Sequence, residues 1–241
     1  MSDNLLELQG VHTHIGAYHI VHGVDLAVPR GQLTMLLGRN GAGKTTTLRT
    51  IMGLWHASQG RVTFGGTDIT ALSTPQIADL GIAYVPENMG IFADLTVREN
   101  MLLAARAAKH AGQFDDTRLK WIFSLFPAVE KFWNHPAGKL SGGQKQMLAV
   151  SRAIVEARQL LIIDEPSKGL APAIINNMID AFAELKASGV TILLVEQNLN
   201  FAQRLGDQVA VMDNGRLVHA GRMADFSEDV QLQQQLLGLA L

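Results

Sequence analysis

Short apolar runs of strand length recur along the chain. Residues 33–37 (LTMLL), 82–85, 160–163 and 191–195 are almost wholly apolar. Such runs predict strands covered on both faces, as in a parallel-type sheet. Residues 5–8, 11–15, 24–28 and 62–64 predict further short strands early in the chain. Pro29-Arg30-Gly31 turns the chain before 33–37, and Gly65-Gly66 ends the early series. Residues 209–212 and 217–218 predict two closing strands about an Asn214-Gly215 turn.

Helical spacing shows at Ile175, Met178, Ile179, Phe182 and Leu185. Pro172 suits the first turn of that helix, and Gly189 its stop. Thr96-Val97-Arg98-Glu99 reads as a capping box, predicting a helix from Val97 to about Lys109. Phe114, Trp121, Phe123, Phe126, Phe132 and Trp133 follow within twenty residues. They predict a small helical core of their own, with a fraction left over for a docking surface.

The chain has 241 residues, enough for one large domain or a domain with a subdomain. It is 47% hydrophobic and carries a net charge of −2, which gives no support for a nucleic-acid partner. It has no cysteine, so disulfides and thiolate metal sites are excluded. No apolar run approaches the ~20 residues that span a bilayer. The first residues, MSDNLLELQG, lack a secretion signal. The expectation is a cytoplasmic chain that meets a membrane only through partners.

Gly38-Arg39-Asn40-Gly41-Ala42-Gly43-Lys44-Thr45-Thr46 fits G-x-x-x-x-G-K-[ST]. An apolar strand precedes it, and residues 45–52 predict a helix behind it. A strand feeding a glycine turn feeding a helix aims several backbone N–H groups at one point, where an anion can sit. This pattern binds a nucleoside triphosphate: Lys44 would reach its β- and γ-phosphates, and the Thr45 hydroxyl would hold Mg²⁺. The run 160–163 ends in Asp164-Glu165. Asp164 would help hold Mg²⁺, and Glu165 would orient and polarise an attacking water. Ser141-Gly142-Gly143-Gln144 is a second capping box, predicting a helix from Gly142 to about Ala157. Two glycines in a first helical turn are poor helix formers. They make sense where something must approach the backbone closely, and a helix start with free N–H groups suits phosphate.

A phosphate loop, then Leu140-Ser141-Gly142-Gly143-Gln144, then apolar residues ending in Asp164-Glu165, resembles the ATPase subunit of an ABC transporter over essentially the whole length. The resemblance implies an α/β fold: a P-loop ATPase core with a mixed, largely parallel sheet, an N-terminal antiparallel β subdomain and an inserted α-helical subdomain. The implied domain spans 1–241, with 1–87 and 158–241 as nucleotide-binding core. Residues 88–157 would form a helical arm carrying the signature motif. It implies a head-to-tail dimer in which the loop of one chain and the Ser141 segment of the other sandwich ATP.

Val85-Pro86-Glu87, Trp121 to Pro127, Glu165 to Pro172 and Val195-Glu196-Gln197-Asn198 are similar to the shorter ATPase of branched-chain amino acid importers, with urea and amide importers close by. That resemblance implies a second ATPase subunit, two membrane permeases and, indirectly, an extracytoplasmic solute-binding protein, all served from the cytoplasmic face of the inner membrane. Residues 88–94 and the arm would receive the permease. Most of the wider family has Gln where this chain has Glu87, a metal-site position, and His where it has Gln197, the switch position. A Gln197 amide can donate to the γ-phosphate but cannot carry a proton as His can. The usual adenine-stacking aromatic is replaced by Ile15, and Tyr18 either substitutes or packs on its strand. His12, His14, His19 and His22 read as half-exposed strand histidines, without the carboxylates or cysteines of a metal site.

Overall fold

The computed structural model describes residues 3–106 and 114–238. Among the described residues there are ten strands: β1 (Asn4–Ile15), β2 (Tyr18–Pro29), β3 (Leu33–Gly38), β4 (Ala57–Phe64), β5 (Thr67–Asp68), β6 (Ile82–Val85), β7 (Leu160–Asp164), β8 (Thr191–Glu196), β9 (Gln208–Asp213) and β10 (Arg216–Arg222). The helices are α1 (Lys44–Ile51), α2 (Thr74–Asp79), α3 (Val97–Arg106), α4 (Asp116–Leu125), α5 (Pro127–Lys131), α6 (Gly142–Ile154), α7 (Pro172–Ala187), α8 (Leu199–Leu205), α9 (Met223–Glu228) and α10 (Val230–Leu237).

The central sheet runs β10-β9-β3-β8-β7-β6, parallel except for β10. A second sheet, β2-β1-β4-β5, is antiparallel. The α/β class with an antiparallel N-terminal sheet is as expected. Strand alternation divides the core. Met35, Ile163 and Leu194 face one cluster, while Leu36, Ile162 and Leu193 face the other. Both faces are covered, which is why these strands read as unbroken apolar runs.

Three expectations change. Residues 5–8 and 11–15 form one strand, β1, whose register shifts between Leu8 and Val11. Such a bulge keeps pairing going across an irregular stretch that breaks the apolar pattern. The helix from Gly142 stops at Ile154, short of Ala157, where Arg118 donates to the Ile154 and Glu156 carbonyls. The aromatics of 114–133 do not form a core of their own. Phe126 is buried in the same cluster as Met35 and Ile163, and Phe114, Trp121, Phe123, Phe132 and Trp133 pack against that cluster. The reason is that α6 packs on β6 and α3 packs on α6: Val97, Met101 and Leu148 join Val85 in one apolar body. The predicted end of α3 near Lys109 lies outside the described residues.

Candidate functional site

Every expected nucleotide contact of the phosphate loop sits at the end of β3. Gly38 has φ 148°, and a Cβ there would collide with the Met212 carbonyl of neighbouring β9. The loop then passes Asn40, Gly41, Ala42 and Gly43 and enters α1 at Lys44, with Thr45 and Thr46 in its first turn. No side chain caps α1 and no acid lies in its first turn, so its leading N–H groups favour an anion. Lys44 is buried and donates to the carbonyls of Gly38 (2.8 Å) and Arg39 (3.0 Å). Burial pushes its pKa down, against the opposing pull of Glu165 and Asp164.

The acids stand beside it because β7 lies next to β8, which lies next to β3. Asp164 is buried; the Thr45 hydroxyl donates to its Oδ1 (3.1 Å) and Tyr84 to its Oδ2 (3.4 Å). Burial raises the Asp164 pKa, opposed by the Thr45 hydrogen bond. Burial, and then the Asp164 charge, pushes the Tyr84 hydroxyl up to about 12. Tyr84 carried no sequence signal beyond its place in an apolar strand.

Glu165 adopts φ 49°, a left-handed conformation unusual for a side chain with a Cβ. Such strain persists where surrounding contacts over-determine it. Gln197 Nε2 donates to Glu165 Oε1 (2.5 Å) and to Asn40 Oδ1 (2.7 Å), tying the residue after β8 to both β7 and the loop. Lys44 Nζ lies 3.7 Å from Glu165 Oε1, and Lys168 Nζ 3.2 Å from Oε2. No hydrogen bond among the described residues joins Glu87 to Asp164 or Thr45, though its charge also acts on Asp164; its Oε1 lies 2.5 Å from Lys168 Nζ. Lys168 was legible only as a motif residue without a role.

Glu196 carried no role at sequence level either. It is 2% exposed, accepts from Ser167 N (2.9 Å) on one oxygen and from Gln197 N (3.1 Å) and Asn198 N (3.2 Å) on the other. One carboxylate thus staples the loop after β7 to the loop after β8. Glu196→Ala should lower the unfolding free energy by about 1–3 kcal/mol for each N–H left unpaired. Urea denaturation would measure it, and an unchanged midpoint would refute the staple.

The Ser141 segment stands at the start of α6. Ser141 Oγ accepts from Gln144 N (3.4 Å), and Gln144 Oε1 accepts from Ser141 N (2.9 Å), so the capping box forms as expected. The glycines divide their work. A Cβ on Gly142 would meet open space, but one on Gly143 would strike Ile174 of α7, so packing explains Gly143. No hydrogen bond among the described residues links 141–144 to the phosphate loop. At the β1–β2 tip, Ile15 is half-buried and pairs with Tyr18, which is 76% exposed. The His14 and His19 rings stack 4.1 Å apart, and His19 and His22 lie 4.0 Å apart. Burial, then His19, lowers the His22 pKa.

Thr45 and Asp164 are hard oxygen donors, which fits Mg²⁺. Among the described residues no group of three or more His, Cys, Asp or Glu could hold a metal. Mg²⁺ needs no such cage, because it binds through one or two carboxylates and substrate phosphates. No helix of the described residues is long and apolar enough to cross a membrane.

The ABC transporter family profile matches residues 21–168. The chain is 37% identical to the high-affinity branched-chain amino acid transport ATP-binding protein BraG of Pseudomonas aeruginosa, over 97% of this chain and 100% of that one. It is 34% identical to the probable branched-chain amino acid transport ATP-binding protein LivF of Archaeoglobus fulgidus, over 92% and 93%. A crystal structure of an ABC transporter cassette in its ADP conformation superposes with a TM-score of 0.82 at 26% identity, over 98% and 99%. Loop, acids, signature and these likenesses agree: the chain belongs to the ABC transporter family, as one of its ATP-binding and ATP-hydrolysing subunits.

Proposed function

We propose that this chain powers an importer of branched-chain or related amino acids from the cytoplasmic face of the membrane. The carrying observation is the convergence of Gln197, Lys44 and Lys168 on Glu165, beside the Thr45–Asp164 pair. The cargo reading is supported by relatives named for branched-chain amino acid transport.

Residues 1–87 and 158–241 act as nucleotide-binding core, and 88–157 as the arm. Gly38, Asn40, Gly41, Ala42, Gly43 and Thr46 cradle the phosphates with Lys44. Ile15 and Tyr18 border the adenine. Thr45 and Asp164 hold Mg²⁺, with Glu87 behind them. When bound, that ion neutralises charge developing on the β- and γ-phosphates. Glu165 takes a proton from the attacking water, and Gln197 donates to the γ-phosphate. Ser141, Gly142, Gly143 and Gln144 complete the site of a second ATPase subunit. ATP therefore glues the pair, which loosens once the γ-phosphate leaves. Two permeases meet residues 88–94 and the arm, and a solute-binding protein delivers cargo outside.

Reconstitution of the chain with the proposed permeases and second ATPase in proteoliposomes tests this reading. ATP-dependent leucine uptake is expected. Uptake of urea or an amide alone would overturn the cargo, and no ATP-dependent uptake of any solute would overturn the transport role.

A further inference from the structure

Both oxygens of Glu165 are engaged: Oε1 by Gln197 and Lys44, Oε2 by Lys168. A carboxylate that must accept a proton from water needs one oxygen free. Lys44 cannot supply that freedom, because its side chain is 4% exposed and bonded to the loop carbonyls. Lys168 can, because its side chain is 55% exposed. Its backbone is nevertheless anchored. Lys168 N donates to the Glu165 carbonyl (3.2 Å), and the preceding Ser167 N is held by Glu196. Only the side chain is at liberty, and Glu87 Oε1 shares it at 2.5 Å. The two acids lie on different strand ends and compete for one ammonium.

We propose that Lys168 is a positioning residue shared between Glu87 and Glu165, so that movement of Glu87 is felt at Glu165 as the capture or release of Oε2. The inference rests on the functional reading above, in which Glu165 is the base and residues 88–94 meet the permease. In the structure Lys168 bridges both acids, and when Glu87 moves off with Lys168 still paired to it, Oε2 is free for water. When the Glu87–Lys168 pair breaks, Lys168 settles on Oε2 and turnover stalls. Glu87 leads directly into the 88–94 segment, so a permease movement there reaches the base through one side chain.

Steady-state ATPase assays of the chain assembled with its second ATPase subunit and permeases test this with four variants. Glu87→Gln surrenders Lys168 to Glu165 and should lower kcat. Lys168→Met should raise kcat by roughly twofold to fivefold, the scale of an exposed ion pair, with KM for ATP within about twofold of wild type. The double variant should turn over like Lys168→Met alone, because no ammonium remains to be captured. Lys168→Arg should behave as wild type. A loss in Glu87→Gln that persists undiminished in the double variant would mean that Glu87 acts only through the metal, and would overturn the proposal. A lowered kcat in Lys168→Met would overturn it too. Both results leave Glu165 as base untouched; that role is judged separately by its own variant.

Discussion

Glu165→Gln is expected to cut ATP turnover by about 10²–10⁴-fold, the usual contribution of a general base, while ATP stays bound. The substitution keeps the shape of a side chain that is 8% exposed and leaves an oxygen to accept from Gln197. It removes the capacity to take a proton. It also removes the charge that faces Lys44 and Lys168. Phosphate binding is spared, because the loop, Lys44 and the start of α1 are unaltered. ATP should therefore persist between two subunits, and sedimentation should show a nucleotide-dependent dimer. Single-turnover hydrolysis at the wild-type rate would remove Glu165 from the base role. A strictly monomeric species with ATP, alone and with its sister ATPase, would remove the sandwich.

Lys44→Ala is expected to weaken ATP binding by roughly 10-fold to 150-fold, the equivalent of a charge-assisted hydrogen bond of about 1.5–3 kcal/mol. The ammonium is buried at the root of the loop and donates to the carbonyls of Gly38 and Arg39. Burial disfavours its charge, and phosphate would return the stabilisation that water cannot. The variant should fold, because Lys168 and Gln197 still engage the Glu165 carboxylate that loses Lys44. Calorimetric titration with ATP measures the loss, and far-ultraviolet circular dichroism checks the fold. Unchanged affinity would rule out the placement of Lys44 on the phosphates.

The parts of the site that sequence showed are those made within a few residues. The glycine loop and its lysine follow from a backbone that must present N–H groups without obstruction. The capping boxes at Thr96–Glu99 and Ser141–Gln144 are each closed by side chains three residues apart. Gly143 was legible as a glycine but not for its reason, since Ile174 comes from another helix. The arm's aromatics were legible as apolar, yet nothing local showed that they would merge with the sheet's core.

Sequence alone therefore determined the strands buried on both faces, the phosphate loop, the acids at the end of β7 and the helix starts. Each depends on side-chain period, backbone freedom or a neighbour within one turn. Tertiary structure alone decided which distant polar groups bond to one another. Gln197 reaches Asn40 across 157 positions, and Lys168 reaches Glu87 across 81. Such contacts last only where strand order and packing bring the two backbones together and hold them there, which no local pattern encodes.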